Sequence, residues 1–266
     1  MKKLLALALA ALLLLSILPA ALAEDGHYPV TVTMYNYAKE PIEITFEKAP
    51  EKVLCVYQNS IETMLALGLE DHILACAGLD HAVKPEWQEA FDKVNYLTEF
   101  APDKETVVMM EPDFIVSWYS FFGEKKLGEV DYWLERGINT YIYANTGAVK
   151  PRTLENEYND LLNMGKIFNV EDRAEALVGE IRDEVARIEA YTQTAEKAPV
   201  VLIVEFLGEN INVYGAEQLG GDMVTQLGGV HAMPEGTLVF PAEPIIRGGG
   251  FHPPESGRHL LRVHGP

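Results

Sequence analysis

Apolar and polar residues alternate from Val30 to Tyr35 as Val-Thr-Val-Thr-Met-Tyr, and a second such run covers 42–46, beyond the turn residues Lys39-Glu40-Pro41. A period of two turns one face of each run inward and predicts a β-hairpin. From residue 51 the pattern changes to four short, continuous apolar runs at 52–56, 72–77, 113–117 and 140–144, separated by stretches with helical spacing. Runs of this kind suit strands covered on both faces, which predicts parallel α/β layering. Asn59 and Glu62 stand three apart, as in a capping box, and open a helix through Ala66 that Gly68 ends; residues 127–135 are expected to be helical and to stop at Gly137.

Two helices are then expected in succession, over 154–168 and 170–193. In the second, Ala174, Leu177, Val178, Ile181, Val185 and Ile188 recur at steps of three and four, so one amphipathic helix of about 35 Å is predicted. A bundle would need more helices of this kind, and a spacer between two lobes is the better reading. A second lobe begins with strands at 200–206 and 211–214, a turn-rich stretch at 215–221 and a helix at 222–227. Residues 247–266 then hold five Gly, three Pro and three of the seven His, with three Arg against one Glu. The reading frame is expected to be lost near Ile246, leaving 247–266 as an aberrant tail.

Lys2 and Lys3 precede an apolar run that ends in Ala21-Leu22-Ala23, the pattern of a secretory signal peptide cut after residue 23. The run is shorter than the roughly 20 residues of a membrane-spanning helix, and no cysteine stands at the cut to carry a lipid. Soluble export, to a periplasm or outside the cell, follows. At 48% apolar and 23% charged, the chain has the composition of a globular protein, and its net charge of −19 excludes a nucleic-acid partner as the first choice. The two cysteines, Cys55 and Cys76, both lie in strand-like apolar runs and are read as buried free thiols rather than a bridge.

Ligands collect at the carboxyl ends of strands in open parallel sheets. The residues that follow the four runs are Tyr57-Gln58-Asn59-Ser60, Gly78-Leu79-Asp80-His81, Trp118-Tyr119-Ser120 and Asn145-Thr146. Their mix of aromatic and hydrogen-bonding groups suits a small-molecule cleft. Nucleophile elbows, phosphate loops, dinucleotide fingerprints and His-Glu-x-x-His are all absent from the sequence. Of the His and carboxylates at strand ends only Asp80 and His81 qualify as metal ligands, too few for a dedicated cage.

Two motifs carry a resemblance. Ala49-Pro50-Glu51-Lys52-Val53-Leu54-Cys55-Val56, followed by Ser60-Ile61-Glu62-Thr63-Met64-Leu65-Ala66-Leu67-Gly68-Leu69, and then Lys104-Glu105-Thr106-Val107-Val108-Met109-Met110-Glu111-Pro112-Asp113-Phe114-Ile115-Val116, resemble the periplasmic substrate-binding proteins of ABC importers for ferric siderophores, heme and cobalamin. The likeness covers about residues 49–238. It implies two α/β lobes with parallel-type sheets, joined by one long rigid helix, with ligand held between them and no bond made or broken. It also implies that Glu105 docks into arginines of the membrane permease, and that Trp118 lies against the ligand. Relatives have a longer second lobe with a second docking glutamate, which finds no match here, so that lobe is expected to be incomplete and the product poorly stable, with weak ligand binding.

The resulting expectation is an exported, monomeric solute-binding protein for an iron chelate (siderophore or heme) or a corrinoid, with an ABC permease as partner and no cofactor. Its organisation is a signal peptide (1–23), an N-terminal α/β lobe (24–169), an interlobe helix (170–197), the start of a C-terminal lobe (198–246) and the tail. Ligand-binding residues are Tyr57, Gln58, Asp80, His81, Trp118, Tyr119, Asn145 and Phe206. The cleft segments show no Lys or Arg cluster, so uncharged and cationic complexes stand open beside heme held by Tyr57, Tyr119 or His81. The alternatives are a direct metal-ion receptor of related fold and a secreted α/β enzyme using Asp80 and His81.

Overall fold

The computed structural model describes residues 26–207, 210–232 and 238–241, with the backbone alone for 206, 207, 210, 211 and 238–241. The expected signal peptide at 1–23 and the expected aberrant tail at 247–266 lie outside these residues. The chain opens on the hairpin β1 (Val30–Tyr35) and β2 (Pro41–Phe46), antiparallel with Val30 opposite Phe46. Val30, Val32 and Met34 are buried while Thr31 and Thr33 face out, as the alternation predicts.

Next come β3 (Val53–Val56), α1 (Gln58–Ala66), β4 (Ile73–Ala77), the single turn α2 (Gln88–Phe91), α3 (Lys104–Met110), β5 (Phe114–Ser117), α4 (Val130–Leu134) and β6 (Asn139–Ile142). The four strands form one parallel sheet in the order β4-β3-β5-β6. All residues of β3 and β5 are buried, the expected state of central strands covered on both faces. Cys55 and Cys76 stand opposite each other in adjacent strands, buried and free. Phe114, Trp133 and Tyr141 fill the core without measurable exposure beyond 1%. The hairpin packs beside β6, where the Thr140 hydroxyl contacts the Met34 sulfur.

The capping box expected at Asn59 and Glu62 does not form. α1 begins one residue earlier and has no side-chain cap; Glu62 accepts from the Gln58 amide instead, and the Asn59 amide oxygen is buried without a partner among the described residues. The helix expected at 127–135 is cut to Val130–Leu134, because Leu127 is turned inward to close a tight turn through Gly123 and Gly128.

α5 (Leu154–Ile167) is capped by Thr153, whose hydroxyl accepts from the Asn156 N–H. α6 (Glu171–Thr192) is a single 22-residue helix. Ala174 and Val178 are buried, and Leu177, Ile181, Val185 and Ile188 are half-buried along the same stripe, which packs in its first half against α5. The strand expected at 200–206 is two: β7 (Val200–Val201) and β8 (Ile203–Leu207), which belong to different sheets. β9 (Asn210–Tyr214) runs antiparallel to β8, and β11 (Leu238–Pro241) antiparallel to β9, whereas β7 pairs in parallel with β10 (Val230–His231). The expectation of a parallel-type sheet here is therefore corrected for β8, β9 and β11: two residues separate β8 from β9, a link that closes a hairpin but cannot make a parallel crossover. α7 (Leu219–Gln226) starts earlier than the glycines at 220 and 221 suggested. Gly221 lies so close to the Gly215 carbonyl that a Cβ would sit 2.0 Å from it, so the glycine serves close packing rather than a turn.

Candidate functional site

The strand order puts a crevice in a definite place. From β3 the chain moves to β4 on one side, then crosses to β5 on the other side and continues outward to β6. The connections leaving β3 and β5 therefore diverge, which opens a gap above their carboxyl ends. Tyr57 and Trp118 are the first residues beyond these two strands. Their rings meet across the gap at 4.2 Å between centroids.

Tyr57 is held in an unusual backbone state, φ 85° and ψ 156°. For a residue with a side chain this costs on the order of 1–3 kcal/mol, a strain that functional sites commonly retain. Its N–H donates to the Ala77 carbonyl at 2.8 Å. Directly after β4, Gly78 allows this approach: it has φ +85°, and a Cβ there would meet the Phe100 carbonyl at 2.8 Å and the Tyr57 nitrogen at 3.2 Å. The strained turn aims the phenol at the 80–81 loop, where its hydroxyl donates to Asp80 Oδ2. Burial and the Asp80 carboxylate push the Tyr57 phenol up to about 12, so at neutral pH it is a hydrogen-bond donor and not a phenolate.

Around this pair lie Phe121, 5.4 Å from the Tyr57 ring, and Phe100, 6.0 Å from it and half exposed. Phe100 and Phe121 also face each other at 6.1 Å. The result is a four-ring wall, in which the separations involving Phe100 and Phe121 lie in the range of favourable aromatic pairs and Tyr57 and Trp118 are in closer contact. The Trp118 indole N–H is buried without a partner among the described residues, which leaves a donor in the wall itself. Lys126 places its ammonium 5.6 Å from the Phe121 ring while donating to the Ser120 carbonyl at 2.5 Å.

The other expected residues fall into different surroundings. Gln58 braces the loop: its Oε1 accepts from the N–H groups of Asp80 and His81 at 3.0 and 3.2 Å, and its amide nitrogen donates to Glu62. Asp80 and His81 are exposed beside the wall, and the partner of Asp80 is the phenol of Tyr57 rather than the imidazole. Among the described residues no group of three or more His, Cys, Asp or Glu is placed to hold a metal ion.

Tyr119 turns away from the four rings and stacks on Tyr37 of the hairpin at 4.9 Å, with its hydroxyl donating to the Tyr37 carbonyl. Lys39 lies 4.8 Å over the same ring. Asn145 is 8% exposed, and both ends of its amide are occupied. The nitrogen donates to the Thr153 carbonyl and to Glu157, while the oxygen accepts from the Thr153 N–H and the Asn156 amide. It ties the end of β6 to the start of α5. Phe206 lies on β8 opposite Asn212, and its side chain is outside the described residues. Glu105 is exposed in the first turn of α3, whose N-terminus is capped by Asp103 accepting from the Thr106 N–H. In the next turn Val108 and Met109 are exposed beside it, Met109 at 83%.

Sequence reading missed Phe100, Phe121, Lys126 and the hairpin pair Tyr37 and Lys39. Phe121 and Lys126 were within reach, since they follow the third run by a few residues. Phe100 reaches the wall from a long connection after β4, for which periodicity gave no signal.

The periplasmic binding protein family matches residues 53–245 of this chain. The petrobactin-binding protein YclQ of Bacillus subtilis (strain 168) is 27% identical over 154 residues, covering 56% of this chain and 44% of that protein. A periplasmic binding protein from Veillonella parvula DSM 2008 is 36% identical with a TM-score of 0.71, over 77% of this chain and 65% of that one. The periplasmic catecholate-siderophore binding protein VctP of Vibrio cholerae shares the fold at a TM-score of 0.57 and 22% identity, over 77% of this chain and 68% of that one. The chain thus spans less than half the length of the Bacillus relative and just under two thirds of the Veillonella protein. Since the family match takes in the whole parallel sheet and the rim above it, the chain belongs to the periplasmic binding protein family.

Proposed function

We propose that this chain is the receptor of an ABC importer for a ferric siderophore, and that it takes an aromatic, anionic iron chelate. The observation that carries this reading is the wall of Tyr57, Trp118, Phe121 and Phe100 at the strand switch point, with the Lys126 ammonium at its edge. Flat aryl groups stack on such a wall, and a cation beside it favours a net negative complex over an uncharged or cationic one. Tyr57 and Trp118 form the floor, Asp80 and His81 line the exposed side, and Gln58 fixes their loop. Tyr119 and Asn145, spent on contacts within the protein, serve as supports. The Bacillus relative is named for petrobactin and the Vibrio neighbour for catecholate siderophores, which supports the class. The Tyr57 hydroxyl is already engaged with Asp80, which supports ranking heme below the chelates.

In this reading α6 spans the two lobes as a spacer, and Glu105 docks on the permease through an arginine, whose fork fixes orientation as well as charge. The exported protein reaches its compartment by the leader at 1–23. Tryptophan fluorescence of the full chain, titrated with a ferric catecholate, heme and a corrinoid, tests it. Saturable quenching strongest with the ferric catecholate is expected; preference for heme or the corrinoid, or quenching by none, overturns the class.

A further inference from the structure

A second, polar cavity lies away from the aromatic wall and shares no residue with it. It measures about 390 Å³ and sits between β1 and α5, with Tyr35 and Ala144 among its lining residues. Here α5 turns an unusual face toward the protein. Asn156, Asn159, Asp160, Asn163 and Lys166 follow one another at helical steps, where a helix packed on a strand ordinarily presents apolar residues. The strand side is an open edge. Lys166 donates to the Thr31 carbonyl at 2.8 Å, so that carbonyl points away from β2. By the two-residue period of the strand, the backbone N–H and C=O of Thr33 point the same way, into the gap.

The hydrogen-bonding groups around the gap are only partly used. Asp160, 5% exposed, accepts from the Tyr141 hydroxyl at 2.7 Å and the Ala144 N–H at 2.8 Å, which leaves a lone pair on each oxygen. Asn163 spends its amide nitrogen on the Tyr141 hydroxyl, and Asn156 spends its own on Asn145 and Pro151, so both amide oxygens remain as acceptors. The Asn159 amide has no hydrogen bond among the described residues. Acceptors thus predominate, arranged in a volume large enough for one small molecule.

We infer that this cavity is a binding site for a neutral, monosaccharide-sized polyhydroxyl molecule, whose hydroxyls donate to Asn156 and Asn163, pair with the Asp160 carboxyl and bridge to the Asn159 amide and the Thr33 backbone. An anion is disfavoured because acceptor oxygens rather than donors predominate around the gap, and an organic cation by the Lys166 ammonium already at the wall. A metal ion would find one carboxylate and no His or Cys. An apolar ligand would strand the amides.

Amide-resolved NMR of the full chain tests this, with D-glucose, D-ribose and myo-inositol each titrated to about 50 mM. At least one is expected to shift the Thr33, Asn159 and Asn163 signals saturably while leaving the Trp118 and Phe121 signals in place. Asn159→Leu, on the exposed side of the helix, projects an apolar chain into the gap and should weaken that binding at least tenfold. Asn163→Ala, which removes an acceptor without filling space, should do so several-fold. Ferric-catecholate quenching of either variant should match the parent. No saturable shift with any of the three polyols, or shifts undiminished in both variants, would overturn the site and leave the reading of the aromatic cleft untouched.

Discussion

Two regions at the same rim of the parallel sheet differ in how their side chains are spent. Above β3 and β5, Tyr57, Trp118, Phe121 and Phe100 present ring faces to a gap, with a strained backbone at Tyr57 and an unpartnered indole N–H at Trp118. Above β6, Asn145, Thr153 and Asn156 bond to one another and to the carboxylate of Glu157. That knot also anchors the later part of the chain: the Leu154 N–H donates to Asp222, and the Arg152 N–H to the Glu217 carbonyl. Residues of both regions follow strands and look alike as candidates for ligand contact. Satisfaction separates them, because a polar group with every partner in place gains little from a ligand, whereas open ring faces do.

The comparison breaks most visibly at Asn145. Asn145→Leu leaves the half-buried Glu157 without its donor and the Thr153 N–H and Asn156 amide without their acceptor. A loss of about 3–5 kcal/mol in urea unfolding is expected, with ferric-chelate affinity of the folded fraction unchanged. An unaltered urea midpoint with lost affinity would move Asn145 into the binding site.

Asp160 lies one turn further along α5 than this knot, and its burial pushes the carboxyl up to about 8, against 3.8 ordinarily. The folded protein then binds a proton that the unfolded chain releases between these two values, so this group's contribution is fully present below pH 4 and declines as pH rises through 8. Asp160→Asn keeps an acceptor oxygen and removes the titration. Between pH 4 and 8 the parent should lose a few kcal/mol relative to the variant, read as diverging urea midpoints. Parallel midpoints across that range would contradict the assignment.

Much of the fold was legible because it rests on short-range pattern. The hairpin, the four parallel strands and α6 follow from periods of two and 3.6, and α5 is closed by its Thr153 cap. What failed depended on contacts distant in sequence. The Asn59 and Glu62 spacing suggested a cap, but the close approach of Gly78 to Tyr57 sets where α1 begins. Strand ends told which loops meet at the rim, and the strand order, which no local pattern encodes, told that the gap lies between β3 and β5. The exhaustion of Asn145 and the arrival of Phe100 were invisible for the same reason.

On the open side, Trp118→Ala removes a central ring that the core does not need. A 10- to 100-fold rise in the Kd for a ferric catecholate is expected, followed by the ligand's own absorbance because the indole reporter is gone, with a shift in unfolding free energy of about 1–2 kcal/mol or less. A loss of stability as large as that of Asn145→Leu would erase the distinction between the two regions.

The smallest effect, and the sharpest test of ligand charge, comes from Lys126. Its ammonium lies at the edge of the wall, exposed to solvent and held by the Ser120 carbonyl. At such a place a charge acts through a screened field, and it acts on the bound anion rather than on the fold. Lys126→Gln should raise the Kd for an anionic ferric chelate about 3- to 10-fold at low ionic strength. The difference should shrink in 0.5 M NaCl, where the screening length falls to a few ångström. A neutral chelate should bind parent and variant alike under both conditions. Equal affinities for the anionic chelate at low salt would show that the aromatic wall alone selects the ligand, and would return uncharged complexes to consideration. Because the side chain is exposed, the unfolding transition should stay in place, so any change in Kd reports on the cleft alone.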